Sequence, residues 1–400
     1  MAPETILRPD NCEYGYVDVS DPRCEYKGQV VGEGKVVREN CNECRCETSS
    51  TRPGCMEMMC STHQCIIDVA SYQDLEAGAR SGLYQWRPGN TSALWGHRLQ
   101  EAAGLLGTGQ PQWSRIMSPV QFSYNPASLP AQFQSSDHWP GLISPVMDQG
   151  WCGASWSHSA ASVLSDRTSI SRGRQVTLSS DGLLHCPHGG RGQLGCVSGT
   201  VDTAWDMLRR YGTWDSGTCV DTCGAEATCH VYRSQPAYRV GRADTRMEDI
   251  MQEIFTQGPV QAVMEVYTDL LMYGGGVYSL SNLGQGRLVG HHGVRIVGWG
   301  ETEDGTRYWT VANSWGLDWG ERGHFRIRRG EDECRIESFV FAAWPGVERP
   351  RQARTRSGGS RHQHRKQRRH RHHRHRQYQH RGERRGHVGR KHNKKYFQVG

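Results

Sequence analysis

Apolar residues recur along this chain at several spacings, and the changes of spacing divide it. Before residue 66 there is almost no apolar periodicity; Gly28, Gly32 and Gly34 and eight cysteines stand where a core would be. From Asp68 to Thr108 the apolar positions Leu75, Ala79 and Leu83, then Leu94, Leu99, Ala103 and Leu106, predict amphipathic helices interrupted at Trp86-Arg87-Pro88-Gly89-Asn90. Residues 109–128, rich in Pro, Ser and Gln, read as a connector. After Ser155 the residues Trp156, Ala160, Val163 and Leu164 return to helical spacing, which places position 155 at a helix N-terminus. Later the period falls to two, with Val260, Ala262, Met264 and Val266 in one run and Phe325 and Ile327 in another, predicting strands. A helical half thus precedes a β-rich half, and after Pro350 hardly anything remains to bury.

Charge sharpens the last boundary. Residues 351–400 carry eighteen Lys and Arg against the single Glu383, so a chain of net +7 has a body of about −10 and a tail of about +17. Residues 347–400 are therefore expected to be disordered and to capture a polyanion. For a secreted chain that means an anionic polysaccharide of the heparan sulfate type rather than nucleic acid. Nine histidines in the tail could strengthen such binding as pH falls, or ligate metal. A solvated, proteolytically trimmed tail is the plainer alternative.

Fifteen cysteines fit an oxidising compartment better than the cytosol, so secretion is expected. Residues 1–5 show neither a charged n-region nor an apolar h-region, and no apolar run is long enough to span a bilayer. The true N-terminus is expected upstream, with residues 1–23, including Cys12, as the remnant of an earlier cysteine-rich unit. Asn90-Thr91-Ser92 is a candidate N-glycosylation acceptor. Within residues 24–67, Cys41-x2-Cys44 with later cysteines and His63 could supply zinc ligands. The fuller pattern, Cys41-x2-Cys44-x-Cys46 followed by Cys55, Cys60 and Cys65, resembles the von Willebrand factor type C module of secreted proteins. That resemblance implies a disulfide-held binding or spacer unit without metal or other cofactor.

The chemistry-bearing residues are concentrated between 129 and 346. Gln149-Gly150-Trp151-Cys152-Gly153-Ala154-Ser155-Trp156, then His292 in Gly290-His291-His292-Gly293-Val294, then Asn313 in Ala312-Asn313-Ser314-Trp315-Gly316, together resemble the papain family of cysteine proteases in its cathepsin B-like form. The resemblance implies an α+β, two-lobed fold, with a helical left lobe and an antiparallel β-barrel right lobe, preceded by the small disulfide-rich module. It implies that Gln149 is the oxyanion-hole donor, His292 the catalytic histidine, Asn313 the residue orienting the imidazole, and Trp315 a shield over that pair. His291 is the alternative to His292. By the same resemblance Cys152 pairs with Cys196 and Cys186 with Cys219. Pairing of Cys223 with Cys229 is a local guess that leaves Cys334 free. Residues 68–128, ending in Leu105-Leu106-Gly107-Thr108, are similar to a cathepsin B pro-segment, which lies across the cleft; a plain helical linker is the alternative.

Four departures bear on function. Ser155 stands where the family carries its nucleophilic cysteine. A helix N-terminus favours a thiolate but gives little to a neutral hydroxyl, and the neutral Asn313 cannot support a forming imidazolium as a buried carboxylate does. Val197-Ser198 replaces the Gly-Gly that lines the substrate path, and Phe339 replaces an acidic residue at the base of a specificity pocket, making it apolar. The short stretch between Tyr211 and Cys219 lacks the histidine-bearing loop of cathepsin B, so carboxydipeptidase activity is not expected. With the cysteine-rich module, these features resemble the tubulointerstitial nephritis antigen family. What that implies is a secreted, matrix-associated pseudoprotease, not an enzyme, acting by adhesion to laminin, collagen or integrin-class partners. The alternatives are a weak serine-substituted peptidase and a polyanion-binding protein dominated by its tail.

Overall fold

The computed structural model describes residues 22–50, 56–90, 93–110, 117–120, 128–186, 195–217, 230–241, 247–281, 286–346 and 349–350. The chain divides into two units, Met1–Gln352 and Ala353–Gly400, and the described residues all belong to the first. The basic tail, Cys12, Cys55, Cys219, Cys223 and Cys229 lie outside the described residues.

The helix Ser155–Arg172 is the spine of one lobe. Every residue from Ser155 to Ser169 is buried, although the segment is rich in serine. The hydroxyls are satisfied locally: Ser159, Ser165 and Ser169 each donate to the carbonyl four residues back, at 2.5, 2.7 and 2.9 Å. Gly173, at φ +63°, ends the helix in the left-handed conformation that glycine adopts without a Cβ penalty. Trp156, Val163 and Leu164 pack with Leu178, Val201, Trp205 and Phe341 in the core of this lobe.

The second lobe is built on the strand Leu288–Glu301, antiparallel to Val260–Tyr267 on one side and to Arg307–Ala312 on the other. It belongs to a sheet of ten strands that runs as an open path, so the expected barrel does not close among the described strands. Nor is the sheet wholly antiparallel: Tyr273–Tyr278 pairs in parallel with His324–Arg328, and Tyr238–Val240 with Pro119–Val120. Both ends of the path are short strands from the region before residue 128, Trp86–Pro88 and Pro119–Val120. Each contains a proline, which lacks the N–H needed to extend the ladder and suits an edge.

The region 68–110 is helical only in part. Val69–Arg80 forms the first predicted helix, capped by the Asp68 side chain accepting from Ser71 N–H, but Leu83 is exposed. Of the second, only Leu99–Ala102 and a 3-10 turn at Ala103–Leu105 are helical. Gly96, Gly104 and Gly107 disfavour a longer helix, and contacts with the β lobe set the path instead. Leu75, Trp86, Leu94, Leu105 and Leu106 join Tyr273, Tyr278 and Trp319 in one continuous core. Trp86 is fully enclosed: it stacks on Tyr84 at 5.0 Å, approaches Tyr278 at 5.2 Å and donates its indole N–H to Ser279 O. The segment is therefore packed as part of the lobe and is not a separate linker.

The N-terminal module carries two small sheets, Arg23–Tyr26 with Gln29–Gly32, and Val36–Glu39, Asn42–Thr48 and Met56–Cys60. Among the described residues its own apolar cluster is small, Cys24, Val31 and Cys46, with the buried cysteines Cys41, Cys44 and Cys65 beside it. Among the described residues three disulfides, Cys24–Cys46, Cys41–Cys65 and Cys44–Cys60, supply what so small a core cannot. Cys41 and Cys44 are thus oxidised, which leaves the zinc-spaced pair without thiolates.

Candidate active site

Four separate segments bring the predicted site residues together. The turn Gln149–Ala154 is pinned by the Cys152–Cys196 disulfide and by Gly153 N–H donating to Cys196 O at 2.7 Å. It delivers Ser155 to the first turn of its helix, with no solvent exposure. Strand register positions the other side: Ala312 lies opposite Arg295, so Asn313, just past the strand end, arrives beside His292. His292 lies within the strand, and alternation puts His291 on the other face.

His292 Nε2 is 2.7 Å from Asn313 Oδ1. The same oxygen accepts from Ser314 N–H at 2.8 Å, so it is an acceptor and the imidazole must donate through Nε2. Nδ1 then presents a bare lone pair, and among the described residues it is buried with no hydrogen-bond partner. Burial pushes the His292 pKa down to about 4, against the smaller upward pull of Asn313, so the ring is neutral near pH 7. Trp315 covers the ring at 4.8 Å between centroids.

Ser155 Oγ does not complete this pair. Its partners are Thr108 Oγ1 at 2.6 Å and the N–H of Gly293 at 3.3 Å. Gln149 donates through Nε2 to Leu105 O at 2.8 Å and to Cys152 O at 2.6 Å, and accepts from Ser314 Oγ at 2.5 Å. Both amide protons of Gln149 are therefore engaged, one of them by the segment lying over the site.

That segment, Leu105–Gly109, bridges both walls. Gly199 N–H donates to Gly107 O and Gly109 N–H donates to Gly199 O, each at 2.8 Å, while Gly107 forms a parallel bridge with His291. Gly107 approaches so closely that a Cβ there would lie 2.0 Å from Gly153 O. On the outer side His97 stacks on Trp151 at 3.9 Å.

Some site residues were not legible beforehand. Thr108 partners Ser155, and Gly199 pairs its backbone with the covering segment; Val197 is 72% exposed and Ser198 half-buried. The signal for Gly199 was the glycine itself, immediately after the substituted pair. Phe339 is 4% exposed and packs in the core of the helical lobe with Trp156 and Trp205. Cys186 is disulfide-bonded, Cys334 is free and buried, and Asn90 is exposed. Among the described residues no cluster of side chains could hold a metal ion.

A two-lobed fold with Gln149, a residue-155 helix N-terminus, His292 and Asn313 in this geometry defines a protease-like class, and comparison with known proteins agrees. Residues 129–344 match the model for "Papain family cysteine protease", and the chain belongs to that family. Within it, the chain is similar to the tubulointerstitial nephritis antigen-like protein of Homo sapiens, 38% identical over 370 residues covering 81% of this chain and 76% of that one. It is 34% identical to human tubulointerstitial nephritis antigen over 370 residues, covering 80% and 73% of the two chains. Among solved structures, proCathepsin B S9 from Trypanosoma congolense superposes with a TM-score of 0.61 and 32% identity over 70% of this chain and 99% of that one.

Proposed function

We propose that this is a secreted, extracellular-matrix-associated protein that acts by binding, and that its papain-family domain is a pseudoprotease. The observation that carries the proposal is the hydroxyl of Ser155 at the nucleophile position. A thiol there can be pre-ionised by an imidazolium and a helix N-terminus; a hydroxyl cannot. It needs a general base during attack, and His292, with a pKa pulled down to about 4, is a weak one. Asn313 offers no charge to steady an imidazolium, a role whose loss costs about four orders of magnitude in serine proteases. The Ser155 hydroxyl is also paired with Thr108 and covered by Leu105–Gly109.

Adhesion to laminin, collagen or integrin-class partners is proposed from the resemblance, with the disulfide-held module as a von Willebrand C-like binding or spacer unit and Asn90, in the segment that follows it, as a glycan acceptor. The composition of residues 351–400 favours a second binding mode, capture of anionic polysaccharide by the basic tail.

The test is a peptidase assay on the secreted protein before and after removal of the segment preceding residue 129, beside the Ser155→Cys variant. No turnover is expected from the native serine, and thiol-dependent cleavage is expected from Ser155→Cys after trimming. Turnover by the native protein that disappears in Ser155→Ala overturns the pseudoprotease assignment. Solid-phase binding to laminin and collagen, and heparin retention with and without the tail, test the binding roles.

A further inference from the structure

A groove of about 360 Å³ lies where three parts of the chain meet: the end of the disulfide-rich module at Thr62–Gln64, the segment Arg98–Gln100, and the start of the central strand at Arg287–Val289. Two guanidinium groups, Arg98 and Arg287, and the imidazole of His63 line it, and no carboxylate does. Neither arginine forms an ion pair among the described residues. The Arg287 guanidinium donates to the neutral Gln64 Oε1, at 3.1 Å. The nearby Glu101 is already engaged by the backbone N–H of Arg98 at 2.8 Å and by His97 at 3.1 Å.

Arg98 also acts electrostatically on the neighbouring Glu101, but no carboxylate lines the groove itself, which is unusual in a body that carries about −10. Guanidinium groups hold sulfate and carboxylate oxygens through paired N–H donors. Gln64 and Gln100 add neutral amides suited to hydroxyls, and Leu99 and Leu288 supply an apolar patch beside them. The volume is in the range of small-ligand sites and too small for a folded segment of another protein.

The geometry points to a second, discrete binding site here for an anionic sugar residue, such as an O-sulfated unit of a glycan chain. The site is separate from the basic tail and does not depend on whether Ser155 has any activity. Arg98 and Arg287 hold the sulfate, Gln64 and Gln100 bind the ring hydroxyls, and the docked sugar bridges the N-terminal module to the β lobe.

Hydrogen–deuterium exchange on the full chain, with a sulfated heparin-derived disaccharide as probe, reads this site separately from the tail. The sulfated disaccharide is expected to protect 62–64, 97–100 and 287–289, and its desulfated counterpart is not. The Arg98→Ala/Arg287→Ala variant is expected to need at least about tenfold more probe for the same protection. Arg287→Glu, at an exposed position, is the second variant should the double change fail to fold, and it is expected to abolish the protection. Equal protection in wild type and variants, protection confined to residues outside these segments, or inorganic sulfate as effective as the disaccharide would each overturn the proposal.

Discussion

Replacing Gly107 with alanine drives a methyl group into the closest backbone contact in the site. The added carbon would sit 2.0 Å from Gly153 O and 2.6 Å from the carbonyl carbon and Cα of the same residue, where real side chains essentially never come within 3.0 Å. All three obstructing atoms are backbone, and Gly153 is tied down by its bond to Cys196 O. The covering segment must therefore back away by roughly 1 Å. That movement strains four hydrogen bonds: the two with Gly199, Gln149 to Leu105 O, and Thr108 to Ser155. At a net ~0.5–1.5 kcal/mol each, losing them removes about 2–6 kcal/mol from the local closing free energy. The lower bound corresponds to roughly thirtyfold faster amide exchange at residues 105–109. Exchange measured by mass spectrometry checks this, with Gly104→Ala as control, since a Cβ there meets nothing within 4 Å. Unchanged exchange in Gly107→Ala would refute the account of how the segment is held.

Two further outcomes follow from the buried groups. His292 titrates at about 4 in the folded chain against an ordinary 6.5, because burial penalises its charge. The unfolded chain therefore takes up the proton first: His292 favours folding fully above pH 6.5, loses this as pH falls toward 4, and is flat below. About 3 kcal/mol is at stake, and denaturant midpoints between pH 7 and 4 should fall more steeply in the native protein than in His292→Gln. Burial lowers the pKa of His158 and His324 too, so the variant should reduce the slope without abolishing it. Trp86→Ala removes a buried ring and its bond to Ser279 O, with an expected loss of about 3–5 kcal/mol. A midpoint shift under 1 kcal/mol would show that the segment before residue 110 contributes little to the core.

Local pattern determined a great deal in this chain. The helix Ser155–Arg172 and the strands at Val260–Tyr267 and His324–Arg328 were visible as periods of 3.6 and 2 because each buries one continuous set of apolar positions. Gln149, Ser155, His292 and Asn313 were identifiable by resemblance because each sits in a short, distinctive run, and a one-atom change at Ser155 is fully visible in a sequence. The open sheet was not, since closure depends on which distant strands occupy the edges, and here these are Trp86–Pro88 and Pro119–Val120 from the region before residue 128. The second helix expected before Thr108 failed for a related reason: Leu94, Leu99 and Leu106 are spaced by contacts with the β lobe, not by a helical period. Tertiary structure alone decided that Ser155 is partnered by Thr108, 47 residues earlier, and that Gly199 pairs its backbone with the covering segment while Phe339 lies in the core. A hydroxyl's partner and a backbone's pairing are set by which segments the lobes bring within 3 Å, and residue type carries no record of that.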